Sequence, residues 1–265
     1  MAELFQAVEA AILESSAAAK CQKTDALRRL WQAGDLDRQP DSRILPIDDP
    51  GRPARPLLVD PRKLERRSVA TPDGRLRLLH AFAHIEFNAI NIALDAVYRF
   101  RDMPAEFITD WLRVASEEAL HFSLLQQLLQ QRGSGYGAYS AHRGLWDMVC
   151  KTRHDPLHRM ALVPRVMEAR GLDVTPGMIE KFRQVGDLEA VAILQQIYRD
   201  EIGHVRIGNH WYTALCRERQ VSGEDMFRQL VEHYMGGKLR GPFNRAARIE
   251  AGFEESELVE LERLG

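Results

Sequence analysis

Glutamates and histidines stand where the hydrophobic periodicity of this chain asks for apolar side chains. Stepping by three or four residues from Glu86 meets Leu79, Phe82, Ala83, Ala89, Ile90, Ala93 and Val97, all apolar. The same walk from Glu118 meets Trp111, Val114, Ala115, His121, Phe122, Leu125 and Leu128. From Glu201 it meets Leu194, Ile197, Tyr198, His204, Val205, Gly208 and Trp211. Positions so spaced share one helical face, which puts each carboxylate in the middle of a buried stripe. An ionised carboxylate removed from water costs on the order of several kcal/mol unless it is paired. A shared cation removes that cost.

The spacing supports a metal. Glu118-Ala-Leu-His121 and Glu201-Ile-Gly-His204 are both Glu-x-x-His, a pair that points two ligands off one helical face. Glu86 precedes the first motif by 32 residues, and Glu168, in VPRVMEARG, precedes the second by 33. One glutamate from each of two helices, with Glu-x-x-His from each of two others, is the ligand set of dinuclear iron and manganese carboxylate bundles. Four carboxylates balance two divalent ions, and oxygen with imidazole donors suits iron or an iron/manganese pair. Zinc is an adventitious alternative. The bland alternative is a set of salt-bridged core side chains, with an Arg165–Glu168 ion pair as the sharpest competitor.

Around these six, no catalytic side chain declares itself. Glu117 and Asp200 precede the motif glutamates, where each either accepts a histidine ring N–H or is a solvated rim carboxylate. Tyr198, three residues before Glu201, is the best placed of Tyr98, Tyr198 and Tyr212 for redox chemistry, although aromatics at helical spacing are usually core. His84 lies about 200° around the helix from Glu86 and pairs better with His80, as a packed or hydrogen-bonded residue.

The elements that must carry these residues read as all-α. Residues 1–35 form an N-terminal helical segment that stops at Gly34. A Pro/Arg-rich extended arm follows over 36–73, with seven of the chain's twelve prolines between Pro40 and Pro72. Its bland reading is a strap over the main domain; the alternative is a basic lip for an anion. The helical core over 74–219 has segments at about 74–100 and 104–133, a short helix near Trp146, and a third segment opened by Asp155-Pro156. Gly171 is expected to close that third segment, and Thr175-Pro176 to open a short extra helix. Asp187 opens the fourth. Pro164 must kink or break its helix. The extension over 220–265 is one helix, a Gly-rich turn and a basic tail.

Length and composition suit one large or two small soluble domains: 265 residues, 45% hydrophobic and 28% charged. A net charge of -2 disfavours a globally basic nucleic-acid binder. Three separated cysteines without CxxC fit a reducing compartment. The N-terminus does not read as a signal peptide, and no run is long and apolar enough to span a membrane. A cytoplasmic location is expected.

The segments LLHAFAHIEFNAINIALDAVYRF, WLRVASEEALHFSLL, MALVPRVMEARGLDVTPGM and RDEIGHVRIGNHWY resemble the bacterial DUF455 family of ferritin-like proteins. The resemblance covers about Arg52 to Phe253. More broadly, EEALH and DEIGH resemble the motifs of ribonucleotide reductase small subunits, multicomponent monooxygenases and a tRNA-modifying hydroxylase. What the resemblance implies is a ferritin-like four-helix core and a dinuclear site at Glu86, Glu118, His121, Glu168, Glu201 and His204. It implies no substrate. An O2-activating oxidoreductase or hydroxylase is expected. The alternatives are a ferroxidase-type iron detoxification protein and a metal-stabilised binding module. For the last, Arg62, Lys63, Arg66 and Arg67 are the candidate contacts to RNA, a tRNA-like substrate or a protein. A homodimer is a further expectation.

Overall fold

Capping residues start the helices close to where the sequence places them. The computed structural model describes residues 2–39, 42–65 and 67–264. Pro40 and Arg66, of the proline arm, lie outside the described residues. Glu3 accepts from the first-turn amides of α1 (Leu4–Ile12), and Ser16 caps α2 (Ala17–Ala33), which Gly34 ends with φ 75°. Thr71 caps α3 (Pro72–Arg99), whose first residue is a proline. Pro104 precedes α4 (Ala105–Gln131), and α5 is Gly144–Lys151. Asp155 caps α6 (Pro156–Leu162), and a π-helical stretch, Val163–Glu168, joins α6 to α7 (Ala169–Gln184). Asp187 caps α8 (Leu188–Glu218), followed by α9 (Gly223–Met235), α10 (Arg245–Glu250) and α11 (Glu255–Leu264). The protein is therefore mostly helical. Strand among the described residues is confined to a two-residue parallel pair, β1 (Ala2–Glu3) with β2 (Leu36–Asp37). No helix among the described residues is long and apolar enough to cross a membrane.

The chain forms two compact units, Met1–Cys150 and Lys151–Gly265. In the first, α3 and α4 pack along each other, α1 lies on α3 and α2 on α4. Leu79, Ala83, Ile90, Ala93 and Val97 of α3 are buried, as are Trp111, Val114, Ala115, Phe122 and Leu125 of α4. One lysine is sealed among them, its amine pushed by burial down to about 7. Lys20 of α2 is fully buried and donates to Ala11 O (3.0 Å), Ile12 O (2.5 Å) and Asn91 Oδ1 (2.7 Å). Its three donors thus meet three acceptors, two at the carbonyl end of α1, where a cation is favoured. The arm is tied down in the same unit: Val59 donates to Ala141 O, and Ala141 donates to Leu57 O. Arg62 is exposed and paired to Asp60.

In the second unit α6, the π stretch and α7 all pack on α8. Here the chain departs from expectation. Gly171 does not end a helix and Pro176 does not begin one, because α7 runs through both to Gln184. A proline inside a helix leaves the carbonyl four residues back without its donor. That carbonyl, Leu172 O, accepts from the Asn244 side chain instead, at 3.1 Å. The tail is not a simple basic coil either. Arg248, buried, pairs with the buried Asp173 (2.8 Å) and so carries α10 onto α7. Pro164 falls in the π stretch, whose wider turn accommodates a ring that cannot donate.

Gly208 lets α8 approach that ring. A Cβ built there would stand 2.3 Å from Pro164 Cβ, inside any tolerable contact. Gly208→Ala is expected to destabilise the protein by about 2 kcal/mol net, since overpacking against a rigid ring outweighs the helix propensity gained. A urea unfolding midpoint checks it; an unchanged or raised midpoint would contradict the contact.

Candidate metal centre

Helix α3 carries Glu86 and α4 carries Glu118 and His121, all three at most 2% exposed. The periodic apolar neighbours that bury α3 against α4 leave these three side chains facing one another. His121 Nδ1 lies 3.2 Å from Glu118 Oε2 and 3.6 Å from Glu86 Oε2. One ligand atom from each of the three falls within 4.8 Å of the others. Among the described residues no donor reaches the buried Glu86 Oε2 within hydrogen-bond distance, His121 Nδ1 at 3.6 Å lying just beyond it.

The electrostatics reflect crowding. Burial, then the neighbouring Glu118 carboxylate, push the Glu86 carboxyl well above the usual range. Burial works against charge on His121, but Glu118 and Glu86 beside it outweigh that and push its imidazole up to about 11. The two carboxylates thus favour positive charge at the position of His121, the electrostatic work a divalent ion would do there.

The second unit holds the second motif. Glu201 and His204 lie a turn apart on α8, with His204 Nδ1 3.7 Å from Glu201 Oε1, and His204 is 1% exposed. Glu168 closes the π stretch and is half-buried. Arg165, its expected competitor, is engaged elsewhere: it donates to Glu257 Oε1 (2.5 Å) and Asn209 Oδ1 (2.9 Å). Glu117 and Asp200 are both half-buried on their helices. Tyr198 accepts from Asn244 at 3.1 Å, which uses its hydroxyl to hold the tail. Tyr98 donates to Glu9, and Tyr212 donates to Gly223 O.

His80 and His84 anchor the loop between α4 and α5. Gly137 N–H donates to His80 Nε2 at 2.9 Å. The Tyr136 hydroxyl donates to His84 Nδ1 (2.9 Å) when Nε2 carries the proton and donates to His142 O (2.8 Å). Tyr136 also packs on Phe87 and Phe122, the neighbours of Glu86 and His121. Only the fold reveals this residue, because nothing in its loop has a period. A cavity lined by Arg52, His84, Phe87, Asn88, Tyr136 and Trp146 lies beside it.

Burial holds His80 and His84 at about 4, below the ordinary 6.5. The unfolded chain therefore binds their protons more tightly than the folded one. Stability is expected to be full above about pH 6.5 and to fall as pH drops toward 4. Unfolding midpoints across that window check this, and a His80→Gln/His84→Gln variant should show a shallower slope. An equal slope in the variant would assign the acid sensitivity to other groups.

Helix geometry and this carboxylate–imidazole cluster define a helical protein with a buried group able to hold a metal ion. The chain belongs to the DUF455 family, described as "Protein of unknown function (DUF455)", whose model matches residues 13–259. It is similar to an uncharacterized protein of Haemophilus influenzae (strain ATCC 51907 / DSM 11121 / KW20 / Rd). The two are 46% identical over 266 residues, covering 97% of this chain and 92% of the relative. No solved structure matches the chain.

Proposed function

We propose that this protein is a ferritin-like dinuclear iron, or iron/manganese, oxidoreductase that activates O2 on an organic substrate. The candidate ligands in this reading are Glu86, Glu118, His121, Glu168, Glu201 and His204. The observation that carries it is the burial of Glu86 and Glu118 against His121, the three crowded together in an apolar stripe. Two carboxylates and an imidazole are a donor set that fits a divalent iron or manganese ion. The repeat of the same motif in the second unit supports a second ion.

When bound, the metal pair would supply the electrons that reduce O2. The chain's own residues supply the rest. Glu86, Glu118, Glu168 and Glu201 balance the cationic charge. His121 Nδ1 must be free of a proton to act as a ligand. The apolar stripes around them exclude water from the centre.

Stopped-flow mixing of anaerobic Fe(II)-loaded protein with O2 tests the reading. Oxidation of about two irons per chain, then no further uptake, is expected from the ligand count. Oxidation of many irons per chain, with assembly into a very large oligomer, would favour iron detoxification instead. A protein that binds no metal, but loses RNA or protein binding on Arg62→Ala, would be a binding module.

A further inference from the structure

A buried arginine sits one turn before Glu168, and it is held from three sides. Arg165 is 2% exposed, although it lies in the π stretch rather than in a regular helix. Its guanidinium donates to Glu257 of α11 and to Asn209 of α8, five residues beyond His204. The rings of Tyr212, Phe227 and Phe253 surround its Cζ at 4.4, 4.9 and 4.8 Å. Asn209 is fixed in turn, donating to Ala251 O at 2.7 Å.

A π turn is an irregular conformation, kept only where its surroundings over-determine it. In this one Ala169 N–H bonds to Pro164 O, five residues back. The wider turn changes the direction in which Glu168 leaves the helix, relative to an α turn. On one side the Pro164 ring is seated against Gly208 of the helix that carries His204. On the other, Arg165 ties the stretch to the C-terminal helix through an ion pair whose arginine end is buried. A planar fork with two partners on two different helices specifies one placement, which a flexible ammonium would not.

We propose that Arg165, clamped by Glu257 and Asn209, is the positioning residue for Glu168, so that the C-terminal helix sets the geometry of one metal position. The inference rests on the dinuclear reading above. It assigns a task to the C-terminal helix and to the aromatic cage around Arg165.

Full-length protein is tested by anaerobic Fe(II) titration and by hydrogen exchange of the amides at Glu168 and Ala169. Wild type is expected to bind Fe(II) in two steps. Glu257→Gln and Arg165→Met should weaken one step by at least about tenfold and leave the other near its wild-type value. Exchange of the Glu168 and Ala169 amides should quicken in both variants, including in metal-free protein. Arg165→Lys, which keeps the charge and loses the fork, should fall between wild type and Arg165→Met. Glu257→Gln keeps the side-chain volume, so it tests the clamp even if Arg165→Met does not fold. Two unaltered binding steps in Glu257→Gln would overturn the clamp, whatever the exchange rates. Wild type that takes up no Fe(II) would overturn the dinuclear reading first, and the assignment of Glu168 with it.

Discussion

Protein produced with iron and purified is expected to carry about two metal ions per chain, the number that four carboxylates and two imidazoles suit. His121→Ala or His204→Ala should lower that content sharply, by about half or more, because each removes an imidazole from one position. His84→Ala should not, although it is two residues from Glu86. Its ring is committed to Tyr136 and His142, on a different side of α3. Elemental analysis of folded protein, normalised to chain concentration, separates these cases. Equal losses from all three variants would mean that helical periodicity selected the wrong histidines. The comparison is sharp because all three rings are buried, so burial alone does not discriminate among them.

The second large effect has opposite signs in two measurements. In metal-free protein Glu86 is a cost: its carboxyl is buried beside Glu118 and pushed well above its ordinary value. Glu86→Gln keeps the shape and removes the charge. It is expected to stabilise metal-free protein by about 2 kcal/mol near neutral pH, since the buried carboxyl must take up a proton on folding and a neutral amide need not. For a chain of this size that is about 5 °C in Tm. The same variant should lose most of its metal, because a neutral amide is a poor ligand for iron. Stability gained as binding is lost is the pattern of a side chain kept for function rather than for the fold. If instead Glu86→Gln destabilised metal-free protein, Glu86 would be an ordinary structural partner of His121, and the metal argument would lose its strongest residue.

Periodicity made part of this molecule legible in advance and left the rest dark. Glu86, Glu118 and His121 could be read because a helix repeats locally, so residues three and four apart must share a face. The same logic located Gly34, Asp155 and Asp187 at helix ends, where caps act within one turn. Gly171 and Pro176 misled for a related reason. They are local stop and start signals, but the donor that keeps α7 continuous is Asn244, 72 residues beyond Leu172. Arg165 was readable only as a rival for Glu168, its neighbour on the same face. Its actual carboxylate, Glu257, is 92 residues away. Lys20 gave no signal, because its acceptors are carbonyls at the end of another helix. Tertiary hydrogen bonds of this kind have no period, and they decide where prolines and buried charges are tolerated.

The most direct measurement of the central claim is diffraction at the iron absorption edge from crystals of iron-loaded protein. Two anomalous peaks per chain are expected. Glu86, Glu118, His121, Glu168, Glu201 and His204 are the residues that would hold them. Six side chains closed on one another or on arginines, with no peak among them, would contradict the account.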